Sequence, residues 1–486
     1  MPQVLQAPQI HLLPILPEIV LVGTGILVLI ADAIRPSRDI RSISLVTLAG
    51  ILGAAAAAAA LWNWDGPRNV LAGTVSADRY TVFFRLVLLA TAALAVLLSQ
   101  HYLGRSEEHR GEYYALLLFA TAGMTLLTAS ADLILVFLSL EVLSLSLYVL
   151  SGFSLRRLAS QEAGMKYFLL GAFSSAFFLY GIAMAYGATG STKLSAIAAA
   201  LTGRTGDLEL ALAGAALLAV GFGFKVAAVP FHMWTPDVYQ GAPTPVTAFM
   251  SAGTKVAGFA ALLRVAMTAL GPLGWDITPA LWTLAALSMV VGSVLAIAQR
   301  DFKRMLAYSS IAHAGFVLVG VVAANQQGVN GSMFYLAVYA AMIIGSFGIG
   351  MLAAGPGGED ISLSSFAGLG RRSPLLAGLL ALLLLSLAGV PPTAGFVAKV
   401  FVFQAAIDAG HWPLVVIGVL ASVAAAFFYL RVIVLSYMQD PEEPGPLRIP
   451  AVPGFAVVVT AVLTLVFGVL PWLLMNAIES AGILRF

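Results

Sequence analysis

The sequence predicts an all-α polytopic membrane protein: one membrane domain over residues 1–486, with about fourteen transmembrane helices. Three observations predict it. Of the 486 residues, 60% are apolar and only 10% are charged, against about 25% charged in soluble domains. Apolar runs long enough to cross a bilayer recur along the whole chain, and they are continuous rather than alternating. Backbone groups in lipid must be satisfied within the element, so continuous runs mean helices and exclude a barrel. The segments between the runs are short and leave no room for a soluble domain.

Taken in order, the first spans fall near 12–33, 42–62, 80–100, 113–130, 132–153, 164–186 and 209–229. The second set falls near 245–270, 277–298, 304–323, 330–354, an interrupted 374–408, 412–437 and 451–476. The first span lacks a basic n-region and a small-residue cleavage site, so it reads as a retained helix and not a signal peptide. Odd-numbered loops hold thirteen basic residues: Arg35, Arg38, Arg41, Arg105, Arg110, Arg156, Arg157, Arg300, Lys303, Arg304, Arg371, Arg372 and Arg448. Even-numbered loops and the tails hold five, namely Arg68, Arg79, Lys193, Arg204 and Arg485. The positive-inside rule puts the odd loops in the cytoplasm and both termini on the opposite side.

The other seven basic residues lie inside spans. A basic group at mid-membrane costs about 2.5–3.5 kcal/mol on insertion scales, so each needs a reason. Arg85, Arg264 and Arg431 lie nearer span ends, where a long side chain can snorkel to the interface, and they read as structural. Lys166 lies near a span start and reads equally well as structural or functional. Lys225, Lys255 and Lys399 lie deeper and read as functional.

In the fifth span, "LILVFLSLEVLSLSLYVL" (133–150) holds one acid, Glu141, with Ser144 and Tyr148 on the same helical face. One reading is a structural ion pair to another helix. The other is a pair whose protonation follows its separation. In the eighth span, "TPVTAFMSAGTKVAGFAALL" (244–263) surrounds Lys255 with Ser251 and Gly258, small residues that admit close helix approach and water. In the tenth, "RMLAYSSIAHAGFVLVG" (304–320) puts Ser309 and His313 at i, i+4. Alone, a buried histidine reads as merely hydrogen-bonded. Between Lys255 and Lys399 in chain order, it reads as a proton relay.

Two spans announce breaks. "GFGFKVAAVPFHMWTPDVYQGAPTPV" (221–246) follows Lys225 with Pro230, and "SLAGVPPTAGFVAKVF" (386–401) puts Pro391 and Pro392 ahead of Lys399. Proline removes a donor and clashes with the preceding turn, and the freed carbonyls need partners. The breaks fall in the seventh and twelfth spans. An odd offset inverts direction, so spans 4–8 (113–270) and 9–13 (277–437) are candidate inverted repeats. The lysine precedes the proline in one copy and follows it in the other, so the symmetry is partial. Buried ionisable groups in spans mark proton relays or ion paths. With no cysteine and no GxxxxGK[ST] loop, Fe–S ligation and nucleotide hydrolysis are excluded. The scattered histidines assemble neither haem axial pairs nor metal-ligand spacing. No cofactor, metal or nucleic-acid partner is expected, and the driving energy must come from an ion gradient or an attached machine.

Three stretches, "KVAAVPFHMWTPDVYQGAPTPVTAF" (225–249), "FLSLEVLSLSLYVL" (137–150) and "GVPPTAGFVAKVF" (389–401), resemble the antiporter-like subunits of respiratory complex I. The "WTPDVYQGAPTPV" wording is similar to the N type, whereas M-type subunits usually carry a glutamate where this chain has Lys399. The resemblance implies fourteen helices in two inverted five-helix repeats, with broken helices 7 and 12 and no cofactor in this chain. It also implies other membrane-arm subunits as partners, protons as the transported species, electron transfer from NADH to quinone in neighbouring chains, and the bacterial cell membrane as the site. On the matching positions, Glu141 and Lys225 are the charged pair, Lys255 the connecting lysine, Lys399 the exit-side lysine and Lys166 a further family lysine. His232, Trp234 and Asp237 are expected to shape the loop after the break. Two alternatives stand beside this: a subunit of a multi-subunit sodium/proton antiporter, and a membrane-arm spacer that moves no proton.

Overall fold

Helices dominate because an apolar environment offers no water to satisfy backbone N–H and C=O groups. The computed structural model describes residues 11–34, 40–105, 111–354, 361–441 and 445–481. The first six crossings are α1 (Leu16–Ile34), α2 (Ile40–Ala60), α3 (Arg79–Arg105), α4 (Gly111–Ala129), α5 (Leu133–Ser151) and α6 (Leu158–Thr189). A hairpin of β1 (Asn69–Val70) and β2 (Val75–Ser76) joins α2 to α3, and a short helix α7 (Leu194–Thr202) follows α6. The seventh crossing is split into α8 (Leu208–Val226) and α9 (Trp234–Gly241). Next come α10 (Thr244–Thr268), α11 (Gly274–Ile297), α12 (Phe302–Val322) and α13 (Gln326–Ala353), then the single turn α14 (Leu369–Arg372). The twelfth crossing is split into α15 (Pro374–Ala388) and α16 (Ala394–Asp408). It is followed by α17 (Trp412–Met438), α18 (Ala451–Val469) and α19 (Trp472–Ala481).

Among the described residues, thirteen helices are long and apolar enough to cross a membrane, and α15 with α16 supplies one more. The expected crossings therefore all form, with some ends displaced; α6, for example, begins at Leu158 and not near 164. The hairpin and α7 were not expected. Two-residue strands and a nine-residue helix are too short to leave a periodic signal.

These small elements stitch one face together. Val75 pairs with Ser130 and Asp132 with Lys193, so loops two, four and six are joined through their backbones. Thr192 adds a hydroxyl bond of 2.8 Å to Asp132. On the other face Asp301 pairs with Ser362, joining loops nine and eleven. Even and odd loops thus gather on opposite faces, as the count of crossings requires. Arg35, Arg38, Arg110 and Arg485, four of the basic residues used for orientation, lie outside the described residues.

The core runs through α10, α12 and α13, which are buried along nearly their whole length. The rim helices α1, α2, α6 and α18 turn most of their surface outward. Two arginines depart from the snorkelling expected of them. Arg85 of α3 is buried and forks onto Glu18 of α1, with Nε and Nη2 donating at 2.9 and 3.0 Å. Arg264 of α10 forks onto Asp78 at 2.8 and 2.9 Å and also donates to Thr81 and to the Thr128 carbonyl. Both remain structural, but through bidentate pairing that guanidinium geometry favours. The acids lie 67 and 186 residues away in the chain, which is why no local pattern reveals them. Arg431 behaves as expected: it is partly exposed and reaches the Gln299 carbonyl at 3.4 Å.

Burial alone would raise the Asp78 carboxyl, but the charge and hydrogen bonds of Arg264, with those of Thr81, outweigh it and hold it well below the usual carboxylate range. Its stabilisation is therefore present above the unfolded value of about 3.9 and is lost only as pH falls through the lower folded value. Asp78→Ala should strand Arg264 and cost about 3–5 kcal/mol. Thermal unfolding in detergent checks this, and an unchanged melting temperature would contradict the pair's role.

Candidate functional site

The first break is built around exposed carbonyls. α8 stops at Val226 because Ala227 turns left-handed, at φ +60°, and Pro230 has no N–H with which to resume the ladder. The loose backbone groups find side chains. Lys255 of α10 donates to the Val226 carbonyl at 2.8 Å, and Trp234 of α9 donates to the Phe224 carbonyl at 3.0 Å. The Val229 N–H donates to Ser288 of α11 at 2.9 Å. A lysine at a helix C-terminus also faces the negative end of the helix dipole. Lys303, which the sequence reading counts as a loop cation, is fully buried and donates to the Ala242 carbonyl just beyond α9 at 2.7 Å.

Lys225 points away from this cluster. Its ammonium donates to Ser144 of α5 at 2.9 Å and to Tyr167 of α6 at 3.3 Å. Glu141, partly exposed, accepts from Ser175 at 2.5 Å. Glu141 and Lys225 line one cavity of about 20 Å³ with Ser144, Tyr148 and Ser174, so the face predicted on α5 does look inward. The expected charged pair is not in direct contact, however. Ser144, one turn beyond Glu141, takes the ammonium instead. Gly171 leaves the space for this arrangement, because a Cβ there would lie 2.0 Å from the Tyr148 hydroxyl.

The second break repeats the chemistry with a different residue order. α15 ends at Ala388, and Gly389 turns left-handed at φ +90°. Pro391 and Pro392 follow, and the helix resumes as α16. Lys399 reaches back from α16 and donates to the Ala388 and Leu387 carbonyls at 2.8 and 3.3 Å. A Cβ at Gly389 would lie 3.0 Å from Lys399 Cδ, so the residue that turns the chain also admits the lysine. Each break therefore carries a lysine on its carbonyl end: Lys255 at the first and Lys399 at the second. The mismatch in lysine and proline order arises from pairing Lys399 with Lys225; by role it matches Lys255.

His313 lies between these lysines. Its Nδ1 is 2.7 Å from the Tyr335 hydroxyl of α13, and its Nε2 is 3.2 Å from the Tyr429 hydroxyl of α17. Tyr429 also bonds Ser309, the residue predicted to share a face with His313. One turn on, Phe316 sits 5.9 Å from His313 between ring centroids, and its ring lies 4.6 Å from the Lys399 ammonium. The sequence reading missed Tyr167, Tyr335 and Tyr429. The available signal was a tyrosine within an apolar span, whose hydroxyl needs a partner once buried.

Lys166 does not join the buried groups. It is partly exposed, bonded to Glu162 at 2.7 Å and to Asp237 at 2.8 Å. Asp237 also accepts from Arg304 at 2.6 Å. This network borders an open cavity of about 150 Å³ on the odd-loop face. Trp234 does shape the loop after the break: its ring stacks on Tyr167, with 4.5 Å between centroids and 10° between planes.

Known proteins share this architecture. Residues 130–425 match the family model described as NADH:quinone oxidoreductase/Mrp antiporter, TM. The NADH-quinone oxidoreductase subunit N of Trichlorobacter lovleyi is 44% identical over 97% of this chain and 97% of that protein. A chain of respiratory complex I from Thermus thermophilus with bound aureothin is 37% identical, with a TM-score of 0.82 over 96% of this chain and 100% of that one. A chain of the Mrp complex from Dietzia sp. DQ12-45-1b shares the fold, with a TM-score of 0.84 at 22% identity over 97% of this chain and 96% of that one. A family model covering more than half of the chain, together with near-full-length similarity to curated relatives, leads to one conclusion: this chain belongs to the NADH:quinone oxidoreductase/Mrp antiporter transmembrane family, among its NADH-quinone oxidoreductase subunit N members.

Proposed function

We propose that this chain is the N-type, proton-translocating subunit in the membrane arm of an NADH-quinone oxidoreductase. It works in a hetero-oligomer with other membrane-arm subunits, and partner chains carry electrons from NADH to quinone. The observation that carries the reading is how the buried lysines are held. Among the described residues, the hydrogen-bond partners of Lys225, Lys255 and Lys399 are hydroxyl and carbonyl oxygens. An amine retains N–H donors for a carbonyl and can accept from a hydroxyl. Each lysine can therefore lose its proton without stranding a contacting carboxylate. A lysine locked to an acid would be a fixed charge.

The path runs as follows. Protons enter from the odd-loop face, which the basic bias places in the cytoplasm of a bacterial cell, and reach Lys225 beside Tyr167. Glu141 acts across the shared cavity, which has room for about one water molecule. Its approach stabilises the charged lysine and its withdrawal releases the proton. The proton passes to Lys255, whose ammonium sits on the carbonyl next to Lys225. It then crosses the His313, Tyr335 and Tyr429 cluster to Lys399. Lys166 belongs to the entrance and not to the buried path. Packing supports the two inverted repeats: α4–α5, α5–α6 and α6–α8 contacts have counterparts in α11–α12, α12–α13 and α13–α15. The near-full-length similarity to subunit N proteins favours this reading over a sodium/proton antiporter, since the Mrp likeness extends to the fold alone.

Lys225→Ala should leave the complex assembled and slow coupled proton transfer about a hundredfold or more, the scale of a lost positioned proton carrier. Proton uptake during quinone reduction in membrane vesicles measures it, and wild-type pumping would sink the path.

Glu141→Gln keeps size and removes charge, so it should reduce pumping more than Glu141→Asp. Equal effects of the two changes would mean that Glu141 does not act electrostatically.

Lys399→Arg should abolish pumping although positive charge is retained, because arginine does not deprotonate in proteins. Near-normal pumping in an assembled Lys399→Arg complex would make Lys399 a fixed helix cap.

A further inference from the structure

The surface network around Asp237 is joined to the buried lysine by an unbroken chain of contacts through α9. Asp237 lies on the first turn of α9 and is gripped from two helices, by Lys166 of α6 and Arg304 of α12. Trp234, the first residue of α9, stacks on Tyr167 and donates to the Phe224 carbonyl at the end of α8. Tyr167 is the neighbour of Lys166 in α6, and its hydroxyl is one of the two acceptors of Lys225. At the far end of α9, Lys303 of α12 holds the Ala242 carbonyl. Adjacent residues of α6 thus contact α9 twice: Lys166 holds its acid, and Tyr167 carries its tryptophan on one side and Lys225 on the other. α12, which supplies Arg304 and Lys303, also carries His313.

We propose that Asp237 is a positioning residue for Lys225: by pinning α9 between α6 and α12, it holds the Trp234–Tyr167 stack that seats the lysine ammonium. The proposal rests on the proton-carrying role of Lys225. Releasing Asp237 frees α9 to shift, unseats Tyr167 and removes one of the two acceptors of Lys225. A change at the odd-loop surface, such as a neighbouring subunit competing for Arg304 or Lys166, acts on the buried lysine by the same route. α9 is suited to this because it is a short segment between two breaks, able to move without bending a continuous helix.

The test uses the whole complex in membrane vesicles. Quinone reduction, proton movement and the amount of assembled complex are measured for Asp237→Asn, Asp237→Glu, Lys166→Gln, Arg304→Gln and Lys225→Ala. Asp237→Asn should assemble normally and move about twofold fewer protons per electron or worse, the range over which packed networks modulate coupling. Asp237→Glu, which keeps the carboxylate, should recover most of the ratio. Lys166→Gln and Arg304→Gln, each removing one of the two contacts, should fall between, and they serve if Asp237→Asn does not assemble. A purely structural role would lower the amount of complex and leave protons per electron unchanged, and that result overturns the proposal. Normal pumping in Lys225→Ala overturns the function beneath it. Normal pumping in Asp237→Asn beside a failing Lys225→Ala overturns the role of Asp237 alone.

Discussion

A helix that stops inside a membrane leaves carbonyl oxygens with no water to satisfy them, and the interior of this protein is organised around that debt. At the ends of α8 and α15 the chain turns left-handed and proline prevents the helix from resuming at once. The donors that meet the exposed oxygens come from elsewhere in the fold: Lys255 from α10, Trp234 from α9 and Lys399 from α16. Charges that would be costly anywhere else in a bilayer become the natural partners of these helix ends, since an ammonium matches both the lone pairs and the dipole. The breaks therefore explain why Lys255 and Lys399 lie deep in the protein.

The same interior holds charges of a second kind, and the two are separated by residue type. Arg85 and Arg264 fork onto Glu18 and Asp78, each guanidinium meeting two carboxylate oxygens. Such pairs fix one helix to another and are costly to break. The lysines instead rest on neutral oxygens, and Glu141 lines a cavity with Lys225 without contacting it. Permanent charge goes with bidentate pairing and architecture. The lysines go with hydroxyl and carbonyl partners and small glycine-made spaces. His313, with both ring nitrogens at tyrosine hydroxyls, belongs with the lysines.

The two membrane faces also differ in construction. On the even-loop face the backbone itself does the joining, through the hairpin and its bridges to Ser130 and Lys193. On the odd-loop face, beside the Asp301–Ser362 bridge, side-chain ion pairs join α6, α9 and α12 around Asp237. Backbone ladders hold a face rigid. Exposed ion pairs are weaker and can exchange partners.

Composition and continuous apolar runs determined the fold class and the number of crossings, because the bilayer restricts the chain to helices of one length range. The prolines in the seventh and twelfth crossings determined where helices break. The cost of burying charge singles out Lys225, Lys255, Lys399 and Glu141 from the sequence alone. Partnership was decided only by tertiary structure. Nothing local marks Glu18 as the partner of Arg85, Asp78 as that of Arg264, or Val226 as the seat of Lys255, since each contact joins separate crossings. The same holds for Lys166: its position near a span start left its role open, and only the packing of α9 against α6 assigned it to a surface network. A sequence records which groups must be satisfied, because desolvation acts on each residue wherever it lies. Which groups satisfy them depends on how the helices are brought together.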